Sequence, residues 1–329
     1  MNNLKKVGLT ALASSLVAAS AYAGEVTVAG GASMQVKHND GGGAANSGKS
    51  FSMGNQLTFS GSGELDNGLN VSISFVIDQG DDSTASTPAA TNPFDNHSIT
   101  VSSDELGSIT MAGEGGSSAQ GAIDTTAAGD LWDNTFTTAT VTGSKPKASA
   151  AGSNGLTYVL PSLVDGFGLT ASYAPKGSGA DSSTSFAVSY TGIEGLTLNY
   201  GVGEDNSTAG STADVTTMKA SYAYGPITVA YSDTEYDDET AAQDQDVTSF
   251  NVSYTVSDAI SISYGEETIE DGTANSATNL DAETKGITAT YTAGGMTLTG
   301  QQVSGDNMDF SNSTLKDYNM WKVSASFAF

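Results

Sequence analysis

The chain ends on Trp321-Lys322-Val323-Ser324-Ala325-Ser326-Phe327-Ala328-Phe329, in which apolar side chains alternate with small or polar ones. Because successive side chains of a strand point to opposite faces, this pattern predicts a strand with one apolar and one polar face. The apolar face carries the aromatic rings, whereas the other face carries Lys322 and two serines. Such a strand separates a non-aqueous environment from an aqueous one.

The same two-residue period runs through most of the chain after residue 24, and no helical period appears there. Apolar and aromatic residues alternate with serine, threonine and asparagine, which is typical of strands with two different faces. We identify sixteen candidate strands, several of them close to the 9–11 residues that cross a membrane at a tilt. They are 25–37, 51–63, 69–78, 97–103, 107–113, 155–160, 167–175, 183–190, 196–202, 214–224, 227–235, 246–256, 259–267, 283–293, 296–303 and 316–329.

The connections between these strands alternate in length. Short turns follow the even strands, as at Gly225-Pro226 and Gly294-Gly295, which have the residue types of hairpin turns. Longer polar loops follow the odd strands, and the longest spans 114–154. No stretch after residue 24 approaches the ~20 apolar residues of a spanning helix. The sequence therefore predicts an all-β fold, a transmembrane antiparallel β-barrel of 16 strands with short periplasmic turns and long external loops.

The aromatic residues of the predicted outward face support this fold, because they fall at two heights along the strands. Those near the turn end are Tyr190, Tyr222, Tyr254, Tyr291 and Phe327, and those toward the loop end are Phe75, Tyr173, Tyr200, Tyr231, Tyr264 and Trp321. Two aromatic girdles are expected where a barrel meets the two membrane–water boundaries. The β-propensity of aromatic residues is the alternative explanation.

Composition excludes several classes of protein. The formal net charge is −26, all 11 basic residues are lysine, and there is no cysteine. A nucleic-acid binder needs basic surface, so no nucleic-acid partner is expected. Thiolate catalysis, disulfides and cysteine-ligated metals are excluded. No catalytic motif surrounds the only histidines, His38 and His97, so we do not expect an enzyme.

Residues 1–23 have the features of a secretory signal peptide. Lys5 and Lys6 precede an apolar stretch, and Ala21-Tyr22-Ala23 is a small-x-small cleavage site. We therefore expect two segments, the signal peptide 1–23 and the barrel domain 24–329. Removal of the two lysines leaves the mature chain more negative by two charges.

The barrel resembles the general-diffusion porins of Gram-negative outer membranes, especially the sixteen-stranded porins of alphaproteobacteria. The resemblance rests on the stretches 25–31, 105–114 and 156–173 and on the terminal Phe329. It implies a third loop folded into the lumen, passive diffusion of small hydrophilic solutes and ions, and a homotrimer in the outer membrane. It further implies contact with outer-membrane lipid and lipopolysaccharide, and an aromatic end, Phe329, that the barrel-assembly machinery recognises. Porins of this kind usually line one wall of the constriction with arginine, and this chain departs from that pattern.

The third long loop, residues 114–154, supplies acidic candidates for the pore constriction. These are Glu114, Asp124, Asp130 and Asp133. The alternative is an external, solvated loop. Because Trp321, Met218 and Val36 are expected to face lipid, their neighbours Lys322, Lys219 and Lys37 should face the lumen. These three lysines are candidates for a weak basic wall opposite the acids, or else serve only to contact water.

Two further expectations follow from the abundance of acids. Acidic groups in a pore concentrate cations and repel anions, so we expect a preference for cations. The acidic segments 78–82, 233–239 and 244–246 are candidates for Ca²⁺ binding, since carboxylate oxygens suit this ion. None of them matches an EF-hand, and mutually repelling solvated loops are the alternative.

Two other functions remain open at this stage. A surface-exposed β-rich adhesin or structural protein would be expected to show a fixed internal repeat, and none is evident beyond the hairpin rhythm. A substrate-selective outer-membrane channel is the other possibility. Its sugar-binding form would favour aromatic residues on the lumen face, but most aromatics here fall on the lipid face.

Overall fold

The computed structural model describes residues 26–41, 48–78, 95–134, 145–151, 154–176, 181–208, 210–272, 280–311 and 317–329. The predicted signal peptide 1–23 lies outside these residues, so it stays a prediction. Among the described residues, helical structure is limited to short 3₁₀ turns, at Leu131–Asn134, Ala241–Gln243 and Met308–Phe310. No helix in these ranges has the length and apolarity that a bilayer crossing requires.

Sixteen antiparallel strands form a closed barrel, as the sequence predicts. Each strand pairs with its neighbours in the chain, and β1 closes the sheet by pairing with β16. The strands are β1 Val26–Gly41, β2 Gly48–Glu64, β3 Asn70–Asp78, β4 Asn96–Ser103, β5 Gly107–Glu114, β6 Gly155–Val159, β7 Phe167–Ala174, β8 Ser183–Tyr190, β9 Leu196–Asp205, β10 Ala213–Tyr224, β11 Ile227–Asp238, β12 Gln245–Ser257, β13 Ile260–Asp271, β14 Ala282–Ala293, β15 Met296–Asp306 and β16 Tyr318–Ala328.

Several strands extend further at the loop end than the sequence pattern predicts. The largest differences are at β1, which reaches Gly41 instead of residue 37, and β13, which reaches Asp271 instead of residue 267. Beyond the membrane the outward side chains become polar, so the alternation of polarity ends there. The hydrogen-bonded ladder nevertheless continues, because the neighbouring strands extend to the same height.

The two faces of the barrel differ as the alternation predicts. Large apolar side chains point outward and are exposed, with Phe51 at 84%, Val323 at 50% and Tyr200 at 50% of their full accessibility. The inward face carries mostly small polar side chains. Its buried part lies near the external end of β8–β16. There Val247, Ile269, Val303 and Met320 form an apolar cluster with Leu131, and Ala213, Val215 and Tyr236 form a smaller one. Leu131 belongs to the third loop, so the core of this protein lies between that loop and the inner wall.

The barrel is closed at its seam by the end of the chain. Phe329 exchanges two backbone hydrogen bonds with Gly30 on β1, at 2.7 and 3.0 Å. The Phe329 ring lies directly over Gly30, where any β-carbon would overlap it. The closed seam leaves no free sheet edge among the described strands.

Candidate pore constriction

The described parts of the third loop, residues 115–134 and 145–151 between β5 and β6, lie inside the barrel, which confirms the prediction. The loop backbone contacts lumen-facing side chains of one strand after another as it proceeds around the wall. The hydrogen bonds are Ala119 N–H to Ser172 Oγ on β7 (2.8 Å), Gln120 N–H to Ser185 Oγ on β8 (3.2 Å), Ser232 Oγ on β11 to Thr125 O (3.0 Å), and Ala128 N–H to Ser249 Oγ on β12 (2.9 Å). Each neutral bond contributes about 1 kcal/mol. Together they hold the loop against the wall.

Glu267 on β13 anchors the loop where the 3₁₀ turn at Leu131–Asn134 begins. Its Oε1 accepts the Leu131 N–H and its Oε2 accepts the Trp132 N–H, both at 2.9 Å. Thr284 Oγ1 on β14 donates a third bond at 3.3 Å. Glu267 is 1% exposed, and these three donors compensate the burial of its carboxyl group. We call this arrangement the Glu267 anchor.

Two glycines of the wall leave space for the loop beside this anchor. A β-carbon on Gly265 would lie 2.5 Å from the Ala128 Cβ, and one on Gly286 would lie 2.8 Å from the Leu131 Cδ2. Leu131 therefore packs into a depression in the wall and is only 2% exposed. The apolar cluster that contains Leu131 is formed mainly by side chains that point inward from β12–β16.

The returning part of the loop, residues 145–151, is bound to the external ends of the strands. Gln245 on β12 exchanges two hydrogen bonds with it, accepting the Lys147 N–H at 2.8 Å and donating to Lys145 O at 3.1 Å. The two arms of the loop also bind each other, since Gln120 Oε1 accepts the Ser149 N–H at 2.7 Å. The Gln120 amide nitrogen donates to Thr217 Oγ1 on β10 at 2.7 Å.

The four acidic candidates occupy different environments. Asp124 Oδ2 forms an ion pair with Lys219 Nζ at 2.9 Å. Asp130 accepts hydrogen bonds from within the loop, from Thr126 Oγ1 at 3.0 Å and Trp132 Nε1 at 3.2 Å. Glu114 is the last residue of β5, where the loop begins. Asp133 is the acid that interacts electrostatically with basic residues of β1 and β16.

The three basic candidates do not form one wall. Lys37 and Lys322 are directly opposite each other on β1 and β16, and both interact electrostatically with Asp133 of the loop. Lys219 lies on β10, where its ammonium group binds Asp124 and also donates to Thr126 O at 2.9 Å. Lys219 therefore binds the loop directly, whereas Lys37 and Lys322 form a separate pair that interacts with Asp133 of the loop. The parts that these residues play in conduction stay predictions.

Comparison with known proteins identifies the family. A family model described as "Gram-negative porin" matches residues 8–281 of the chain. The chain belongs to this family. It is therefore an outer-membrane porin, and the localisation expected from the sequence is confirmed. Among curated protein sequences, none matches the chain.

Solved porin structures share the fold of this porin at low sequence identity. An anion-selective porin from Comamonas acidovorans has a TM-score of 0.69 at 17% identity, covering 93% of this chain and 99% of that chain. OmpF of Salmonella typhi, in complex with daunomycin, has a TM-score of 0.69 at 14% identity, over 93% and 98% of the two chains. A mutant of the Rh. blastica porin has a TM-score of 0.67 at 15% identity, over 93% and 100%.

Sequence reasoning missed the residues that hold the porin's third loop. Glu267 lies at the end of a predicted strand and reads as one acid among many, and Val247 and Met320 read as ordinary strand residues. A signal was present, because these apolar side chains have the parity of the lumen face, where only polar residues are expected. An apolar residue at a lumen-facing position of a strand indicates that another part of the chain covers the inner wall there.

Proposed function

We propose that this porin is a general-diffusion channel, in which small hydrophilic solutes and ions cross a water-filled lumen down their gradients. The observation that carries the proposal is the third loop, which is held against the inner wall rather than across the lumen. Its backbone binds Ser172, Ser185 and Ser249 of the wall. A loop in this position narrows the lumen.

A substrate-selective channel is less well supported. Among the described residues, the inward-facing tyrosines Tyr236 and Tyr318 are both buried, at 7% and 6% exposure. They therefore offer no exposed aromatic track to a sugar. The family consists of channels, and we extend this to the present chain, which we propose has no enzymatic activity.

The channel is proposed to prefer cations. The supporting argument is the net charge of −26, since a strongly acidic protein surface around the openings of a channel raises the local concentration of counter-ions. Lys37 and Lys322 act in the opposite sense near the third loop, and Asp133 offsets part of their field. The preference is thus the balance between a wide acidic surface and a local basic pair.

The test is conductance of the purified mature protein in planar bilayers, with the reversal potential measured across a salt gradient. We expect stepwise, ohmic conductance increments and a reversal potential of the sign set by cation flow. Absence of conductance steps from correctly folded protein would overturn the channel proposal. An anion-selective reversal potential would overturn only the preference for cations.

Asp133→Asn tests the local part of this balance. The variant leaves the lysine pair without the carboxylate that faces it, so we expect the reversal potential to shift toward anion permeability. Asp66→Asn, in the turn between β2 and β3 at the opposite end of the barrel, removes the same charge and should leave the reversal potential nearly unchanged. Equal shifts in the two variants would mean that only total charge counts.

We further propose that the protein is a homotrimer whose subunits contact each other through β1–β5. After the predicted signal peptide, the first tyrosine of the chain is Tyr158, on β6. The outward faces of β4 and β5 instead carry Ile99, Val101, Ile109 and Met111, all exposed. Hydroxyl-bearing rings anchor a surface at the membrane boundary, so their absence suits a face covered by protein.

The outer-membrane partners named from the sequence also remain proposals. We propose that Phe329 is the end recognised by the barrel-assembly machinery, and that the external rim contacts lipopolysaccharide. The exposure of the Phe329 side chain, 76%, supports the first of these, since a recognition element must be accessible.

A further inference from the structure

The external rim of β9–β11 carries carboxylates that oppose one another across adjacent strands. Asp214 on β10 lies directly opposite Glu204 on β9 and Asp237 on β11. The Cβ atoms of directly opposed residues are about 5 Å apart, and like charges at this distance destabilise a sheet. The ion pairs of the described residues, Lys219–Asp124 and Lys285–Glu283, involve none of these acids.

A concave site lies beside this row of acids. It has a volume of about 350 Å³ and is lined by Glu204, Asn206, Thr212, Ala213, Asp214, Asp237, Asp238 and Glu239. Lys147 is the basic group near it, and it interacts electrostatically with Asp238. Its ammonium group is directed to Gln243, with which it forms two hydrogen bonds. Among the described residues, four carboxylates of the lining, those of Glu204, Asp214, Asp237 and Glu239, thus have no ion pair.

Asn206 provides an independent indication that this site takes a ligand. The residue is 9% exposed, and its buried Oδ1 has no hydrogen-bond partner among the described residues. The amide cannot be reversed to remove the problem, because its Nδ2 donates to the Ser182 carbonyl at 3.1 Å. An unpaired buried amide oxygen costs about 1–3 kcal/mol. A cation in the site would supply the missing partner.

Several oxygen atoms around the site are already held in place. Glu204 Oε2 accepts the Thr184 N–H and hydroxyl, both at 3.1 Å. Asp238 accepts the Ser211 hydroxyl at 2.7 Å and the Thr240 N–H at 2.8 Å. These carboxylates keep free lone pairs, so they can contact an ion without giving up their hydrogen bonds.

We propose that the rim of β9–β11 binds a divalent cation, with Ca²⁺ as the best match, through Asn206 and two of the opposed carboxylates Glu204, Asp214 and Asp237. Carboxylate and amide oxygens are the ligands that this ion takes, and it accepts variable coordination. In the described part of the chain, no three acidic or histidine side chains converge closely enough to enclose a metal by themselves. The ion therefore keeps part of its water shell. Its binding removes the repulsion between the opposed acids.

The site specifies one of the acidic segments named from the sequence. Segment 233–239 supplies Asp237, Asp238 and Glu239, but Glu204 and Asp214 come from two other strands. Residues 79–82 lie outside the described residues, so segment 78–82 stays untested. A second row of opposed acids, Glu235–Asp246–Glu270 on β11–β13, has no buried unpaired amide among the residues described around it and serves as an internal control.

The test is a calorimetric titration of CaCl₂ into the full mature protein in detergent, at a fixed high NaCl concentration that screens diffuse attraction. We expect saturable binding with a Kd of about 10⁻⁴–10⁻³ M, as in extracellular calcium modules. The variant Asp214→Asn/Asp237→Asn should bind at least tenfold more weakly. Asp246→Asn/Glu270→Gln removes two acids from the second row and should retain the wild-type affinity.

Asn206→Ala keeps every charge and removes only the amide oxygen, so it should also weaken binding. Heat-modifiable gel mobility verifies that each variant forms a barrel. Wild-type protein without saturable binding would overturn the proposal. Equal weakening in both double variants would also overturn it, because diffuse charge would then explain the effect. An affinity of Asn206→Ala for Ca²⁺ equal to that of the wild type would overturn the proposal as well.

Discussion

Glu267 shows how much a single side chain contributes to the position of the third loop. It is the one acid of the described wall whose two oxygens both bind loop backbone N–H groups. Hydrogen bonds to a charged group contribute about 1.5–3 kcal/mol each, more than the neutral bonds to serine along the rest of the loop. The Glu267 anchor therefore fixes the segment that precedes Asp133, and with it the distance between Asp133 and the lysine pair.

Glu267→Gln is the corresponding prediction. The amide has nearly the same shape, but its NH₂ group would face one of the two loop N–H donors, so one strong bond is lost. We expect the barrel to remain folded and single-channel recordings to show increased open-channel noise and more frequent brief closures. Thr284→Val removes only the 3.3 Å bond and should change the traces little. If Glu267→Gln gave current traces with noise as low as that of the wild type, the proposed role of the Glu267 anchor would be contradicted.

At the scale of the strand, β14 has opposite requirements on its two faces. The outward face carries Ile287, Ala289 and Tyr291, whereas the inward face has Gly286 where the loop approaches. A strand interior is usually weakened by glycine. Here the glycine creates the depression that Leu131 occupies, because a Cβ would meet Leu131 at 2.8 Å and Val303 Cγ2 at 3.1 Å.

Gly286→Ala is expected to displace Leu131 from this depression and push the loop toward the lumen. Single-channel conductance should therefore decrease, with a change in the reversal potential as Asp133 moves. Gly300→Ala, on the neighbouring strand β15, is the matched control. A Cβ at Gly300 would contact nothing within 4 Å, so its conductance should equal that of the wild type. Unchanged conductance in Gly286→Ala would show that the loop does not depend on this fit.

For the whole molecule, the outward surface divides into two parts with different chemistry. The surface of β6–β16 bears tyrosines and Trp321, but that of β1–β5 bears none, as described above. An apolar groove with a volume of about 480 Å³ lies at the seam and is lined by Met34, Val36, Phe51, Met53 and neighbouring residues of β15 and β16. Exposed methionine and phenylalanine side chains of this kind are typical of a surface that packs against protein.

Spin labels can test this division. Because the chain has no cysteine, each single-cysteine variant carries its label at one position only. Met53→Cys places the label on β2 in the proposed contact, and Met218→Cys places it on the outward face of β10. Both methionines are exposed in the single subunit, at 66% and 49%. In lipid we expect the label at position 53 to be immobilised and poorly accessible to dissolved oxygen, unlike the label at 218. Equal mobility at both positions would contradict a contact through β1–β5.

Much of the architecture follows from the sequence alone. The alternation in segments such as Trp321–Phe329 is a local property, since adjacent side chains of a strand must point to opposite faces whatever the rest of the chain does. Strand number, the lipid and lumen faces, and the unusual length of the third loop could all be predicted from it. The ends of the strands could not, because the ladder continues where the outward side chains have become polar.

Tertiary structure alone decided which residues meet. The pairing of Lys37 with Lys322, and the opposed acids Glu204, Asp214 and Asp237, depend on the register between strands, which barrel closure fixes. The contact of Glu267 with Leu131 joins residues 136 positions apart. No local pattern encodes such a contact, because its energy depends on a wall and a loop that become neighbours only when all sixteen strands have closed.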